Sequence, residues 1–178
     1  MRGWGQVSPG VCPLILAVDV GYSLGRAKAA GVLFSDWADE HAERVFTAYL
    51  DSPDEYLPGQ FYRRELPALL KLIGPALSQA HVIVIDGYVC LGGEEKPGLG
   101  WHLWEALEGR VPVIGVAKSR FHGTPETTEV TRGTSRSPLF VTSVGLPLEE
   151  VKGHIGSMAG EHRIPTLLKY VDRLSRSG

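Results

Sequence analysis

Two stretches of buried-strand character each carry a single carboxylate followed closely by glycine, and this pair constrains the fold more than any other feature of the chain. Leu14 to Val20 is apolar except for Asp19 and meets Gly21, while His81 to Ile85 is β-branched and apolar and leads into Asp86-Gly87. Such runs read as strands buried on both faces, the kind found inside sheets covered by helices. Val111 to Val116 has the same character, with Lys118 just past its end.

The remaining segments fill in that frame. Ala30 to Phe34 and Arg44 to Leu50, the latter holding Val45, Phe46, Thr47 and Tyr49, predict strands that form an antiparallel meander with the first run. Asp51 to Gly59 carries loop residues, and Phe61 to Leu77 has apolar residues at helical spacing, starting near Gln60, with Pro67 and Pro75 expected to kink or shorten it. Val89 to Leu99 is glycine-rich and irregular, Gly100 to Leu107 predicts a short helix, and Pro138 to Thr142 a short strand. Leu148 to Met158 and Ile164 to Leu174 predict helices. A meander followed by alternating strands and helices is an α/β pattern with a mixed sheet. With no repeat and no linker, residues 1–178 are expected to form one domain.

Composition excludes several classes. With 43% hydrophobic and 21% charged residues the chain is globular rather than disordered or fibrous. Cys12 and Cys90 are far apart, so a disulfide framework or zinc knuckle is not expected; both read as small buried hydrophobes. No apolar run approaches the roughly 18 residues of a membrane span, and residues 1–10 lack the regions of a signal peptide, so a cytoplasmic protein without membrane contact is expected. Eighteen Lys plus Arg against 20 Asp plus Glu give a net charge of −2, without the basic surplus of a generic nucleic-acid coat protein. Net charge does not decide the matter, because carboxylates that hold divalent cations can still present positive charge to a phosphate.

Asp19 and Asp86 are each placed to emerge at the end of a strand, where α/β sheets bind ligands, although an aspartate there can equally begin a turn. Glu65 lies one turn into the predicted helix beside Arg63 and Arg64, where a solvated charged face is the plain alternative. Three carboxylates drawn together repel one another, and a divalent ion with oxygen ligands relieves that cost, which favours Mg²⁺ over zinc. His102, beside Trp101 and Trp104, reads as a packing residue and His122 as a polar loop residue.

Five segments occur in one order: Leu16-Ala-Val-Asp-Val-Gly-Tyr22; Tyr56-Leu-Pro-Gly59 followed by Arg64-Glu-Leu-Pro67; Asp86-Gly87; Val113-Ile-Gly-Val-Ala-Lys-Ser119; and Arg163-Ile-Pro165 with Asp172. Together they resemble the endonuclease V family over nearly the whole chain. The resemblance implies a ribonuclease H-like fold and a Mg²⁺-dependent endonuclease, with Mn²⁺ as a possible substitute. Its substrate would be DNA or RNA, cut near a deaminated base such as inosine, in nucleic-acid repair. It implies no obligate protein partner. Asp19, Glu65 and Asp86 match the family's metal-binding carboxylates, Asp172 a further acidic or histidine position, and Lys118 the active-site lysine. Tyr56, Leu57, Pro58 and Gly59 resemble the family's wedge beside the lesion, and Gly87 part of the base site.

The chain departs from the family at two places. Tyr88 to Lys96 replaces a glycine step and a histidine-containing stretch, so bulky Val89 is expected to crowd a base pocket, and Glu94 and Glu95 to repel phosphate if they face it. Ser143-Val-Gly-Leu146 lacks the histidine of the family's later turn. Those changes leave two alternatives open: a nuclease for another structured or flapped nucleic acid, and a non-catalytic binding module. Clustered carboxylates argue against a pure binder.

Overall fold

A computed structural model describes residues 13–51, 58, 60–93 and 96–177. The elements follow as β1 (Leu14–Ser23), β2 (Arg26–Phe34), β3 (Arg44–Asp51), α1 (Phe61–Ile73), β4 (Ala80–Asp86), β5 (Cys90–Leu91), β6 (Lys96–Pro97), α2 (Leu99–Ala106), β7 (Val113–Ala117), β8 (Glu129–Val130), β9 (Leu139–Val144), α3 (Leu148–Ser157) and α4 (Thr166–Arg176). Among the described residues seven strands form one sheet in the order β3-β2-β1-β4-β7-β9-β8, and β5 pairs with β6 in a small hairpin. β1, β4 and β7 run parallel, whereas β2 and β3 on one side and β9 and β8 on the other are antiparallel. The expected mixed sheet and the meander are both present.

Alternation along the central strands divides the core in two. Leu16, Val18, Ile83 and Ile85 face one side, where α1 and α2 bring Leu69, Ile73 and Leu103. Ile15, Ala17, Val82 and Val84 face the other, under Ile155 of α3 and Leu167 and Val171 of α4. Continuous apolar runs in β1 and β4 follow from this burial on both faces. Among the described residues no helix is long and apolar enough to cross a membrane.

Four expectations need correction. β1 does not end at Gly21: it pairs with β2 as far as Ser23 against Arg26, so Asp19 lies inside the strand rather than at its end. The helix from Phe61 stops at Ile73, and Pro75 falls in the 3₁₀ turn Gly74–Ala76 that follows. Val89 is buried in the core, against the position where a Cβ on Gly100 would lie, so its bulk does not turn toward a pocket. Cys90 is half-buried rather than fully buried. Cys12, Tyr56, Leu57, Gly59, Glu94 and Glu95 lie outside the described residues.

Candidate active site

Register brings the first two carboxylates together. Val18 of β1 pairs with Ile85 of the parallel strand β4, which places the next residues, Asp19 and Asp86, side by side where that pairing ends. By strand alternation both lie on the face carrying Ala17 and Val84, the face that α4 covers. Val171 anchors α4 in that core, and Asp172 follows it. Asp19, Asp86 and Asp172 each offer a carboxylate oxygen within 4.8 Å of the others.

The approach of α4 to β1 depends on a glycine. A Cβ at Gly21 would lie 2.3 Å from the carbonyl oxygen of Ser175, so any larger residue would push the helix away. That contact also delivers Ser175, which is 3% exposed, to the site. Its Oγ lies 3.0 Å from Asp19 Oδ2 and 2.8 Å from the carbonyl oxygen of Asp172. A hydroxyl has one proton to donate, so the bond to Asp19 is made at the expense of the bond within the helix.

Cations face the acids from two directions. Lys118, one residue past β7, donates from Nζ to Asp86 Oδ2 at 2.9 Å and stands 3.5 Å from Asp172 Oδ1. Arg176, one turn beyond Asp172 on α4, pairs with the same Oδ1 at 3.0 Å. Burial disfavours the Lys118 ammonium, but the bond to Asp86 and the charges of Asp86, Asp172 and Asp19 outweigh it and raise its pKa. Burial, followed by the charge of Asp86, raises Asp19 from 3.8 to about 7.

Glu65 approaches from α1, on the opposite face of the sheet, and stands outside the set of three acids within 4.8 Å. It nevertheless shares their field: burial and then the charges of Asp19 and Asp86 raise its pKa from 4.5 to about 8, with Arg64 opposing. Arg64 in turn places its guanidinium 3.9 Å from the ring centroid of Tyr22. Burial, and then Glu65, push the Tyr22 phenol well above its ordinary range.

The donor set suits a hard divalent cation. All the ligand atoms are carboxylate oxygens, and Asp172 Oδ1 is buried and ion-paired yet accepts no aligned hydrogen bond. A void of about 20 Å³ lies beneath Asp19, Asp86, Lys118 and Asp172, and the rest of its lining, Val84, Val116, Leu139 and Val171 among others, is apolar. Beside the acids a second cavity, about 360 Å³, is lined by Tyr62, Glu65, Asp86, Gly87, Tyr88, Leu91 and Phe121, among others. Tyr88 is pinned at its rim: the hydroxyl donates to the Ser119 carbonyl at 2.8 Å and accepts from the Phe121 amide at 3.1 Å.

A sequence model of endonuclease V matches residues 6–156. The chain belongs to the endonuclease V family. The Nostoc punctiforme endonuclease V is 30% identical over 168 residues, covering 89% of this chain and 73% of that protein. The fold is shared with human ENDOV (TM-score 0.73, 22% identity, 92% of this chain and 83% of that one). It is shared also with the Ciona intestinalis endonuclease V, solved with a 24mer DNA containing an inosine followed by a ribo-adenosine (TM-score 0.72, 20% identity, 98% and 89%). These are ribonuclease H-like folds, as the family motifs implied.

Within this endonuclease V-like frame, Asp19, Asp86, Lys118 and Asp172 meet, and Glu65 lies close enough to feel their charge. Gly87, with φ 133°, lines the larger cavity, and Pro58 lies at an exposed turn before α1. His122 is exposed, and His102 stacks on Tyr62 with ring centroids 3.7 Å apart, so neither joins the acids. Sequence reading missed Ser175 and Arg176. Their spacings of three and four from Asp172 put them on its helical neighbourhood, which was the available signal.

Proposed function

We propose that this protein is a Mg²⁺-dependent endonuclease, acting inside the cell as a one-domain enzyme, that hydrolyses a phosphodiester bond near a deaminated base such as inosine in DNA or RNA. The convergence of Asp19, Asp86 and Asp172 beside Lys118 carries this reading. Asp19, Asp86 and Asp172 would hold the ion, with Glu65 contributing from the α1 side. A divalent cation supplies Lewis-acid stabilisation of charge on the phosphoryl and leaving oxygens and eases deprotonation of the attacking water. Lys118 adds a fixed positive charge for the phosphoryl oxygens in the transition state. Ser175 holds one Asp19 oxygen, fixing the direction of the other. The cavity beside Gly87 and Tyr88 has the size and aromatic lining for an extruded base.

The test offers inosine-containing and undamaged DNA and RNA to the purified protein with Mg²⁺ or Mn²⁺, beside Asp19→Ala. Metal-dependent cutting of inosine strands alone, lost with EDTA and absent in the variant, is the expected result. Equal cutting of all strands favours a nuclease for other structured or flapped substrates, a reading supported by the Tyr88 to Lys96 departure. Binding without cutting under any metal sinks the catalytic account.

A further inference from the structure

The turn between β1 and β2 is built at a cost that no contact among the described residues explains. Leu24 and Gly25 have φ of 48° and 76°, between strands paired at Ser23 and Arg26. A two-residue hairpin loop with both residues left-handed favours Asn-Gly or Asp-Gly, because a Cβ is strained there. This chain places leucine at the strained position, and that leucine is 99% exposed. An apolar side chain held in water on unfavourable backbone points to a use outside the molecule.

Its surroundings indicate which use. On one side of the hairpin Tyr22, 37% exposed, lies under Arg64. On the other, Tyr49, 42% exposed, lies under Arg26 at 5.0 Å and Lys28 at 5.7 Å. Asp51 pairs with Arg26 at 2.5 Å and offsets part of its charge, and Lys28 also bonds the Ser177 carbonyl at 2.8 Å. Cations for phosphates and apolar groups for bases, alternating at one tip, suit a nucleic acid better than a purely apolar partner. Five residue-to-residue steps lead from Asp19 along the end of β1 to Leu24, about 16 Å at roughly 3.3 Å each. Along a duplex that span equals about five base pairs.

We propose that Leu24 is an apolar finger pressed against the bases of a nucleic-acid duplex a few base pairs from the scissile bond, with Arg26 and Arg64 meeting the flanking phosphates. This contact rests on the nuclease reading and adds to it a second element that grips the substrate away from the acids.

Leu24→Asn tests it, because asparagine suits this turn and removes only the apolar tip. The substrate is a duplex with one central inosine and about ten base pairs on each side, a helical turn each way. The variant should melt no lower than the wild type and keep its kcat. Its KM for cutting and its Kd for the uncut duplex in EDTA should both rise about fivefold or more, the lower end for losing one base contact. Leu24→Phe should restore both. A Leu24→Asn protein with wild-type KM and Kd overturns the finger while leaving the nuclease intact. A wild type that cuts and binds no nucleic acid overturns the nuclease reading, and the finger with it.

Discussion

In metal-free protein, Asp19→Asn should stabilise the fold at alkaline pH, although it removes a residue from the centre of the site. Burial and the neighbouring charge of Asp86 hold Asp19 at about 7 against 3.8 in the unfolded chain. The folded state therefore binds this proton more tightly than the unfolded state does. Below the unfolded value both states are protonated and the stabilising difference is fully present. As pH rises from about 4 through 7 the unfolded chain ionises freely, the folded chain must place a charge beside Asp86, and stability is lost. A gap of roughly 3 pH units at about 1.4 kcal/mol each amounts to about 4 kcal/mol. Asparagine keeps the shape and still accepts from Ser175, so it escapes the loss. Thermal unfolding in EDTA should show the variant melting roughly 8–16 °C above the wild type near pH 9, converging toward pH 4. Added Mg²⁺ should then raise the wild type and leave the variant unchanged, because only the wild type binds the ion tightly. If the variant melts at or below the wild type near pH 9 without metal, the acids are not crowded and the cation argument fails.

Glu65→Gln should behave with the same sign, its loss falling between about pH 4.5 and 8 as the raised carboxyl ionises; melting curves in EDTA across that range check it. Lys118→Ala should lower kcat by on the order of 10²–10³ with little change in duplex Kd, since its charge acts on the developing transition state. Removing the hydroxyl in Ser175→Ala should cost about 1 kcal/mol of stability and shift the Mg²⁺ titration of activity to higher concentration, because Asp19 loses its hydrogen-bond donor. Gly21→Ala should destabilise by about 1–3 kcal/mol in urea and depress cutting, as the added Cβ meets the Ser175 carbonyl and displaces Asp172.

The central strands and two of the acids were legible in the amino-acid pattern. β1, β4 and β7 are legible because strands buried on both faces must be apolar throughout, which leaves Asp19 and Asp86 conspicuous within or just after them. The family motifs added Lys118 and Asp172, since they preserve the order of residues that a common fold brings together. How these groups meet depends on register and docking, which no local pattern records. The register of Val18 against Ile85 set Asp19 beside Asp86, and the close contact at Gly21 brought Asp172 and Ser175 over them, while Glu65 approached from the other face. It also carried β1 past Gly21 to a strained, exposed Leu24 and turned Val89 into the core. Local pattern records which face a residue buries, but distances between remote residues follow from strand register and helix docking, which are properties of the packed whole.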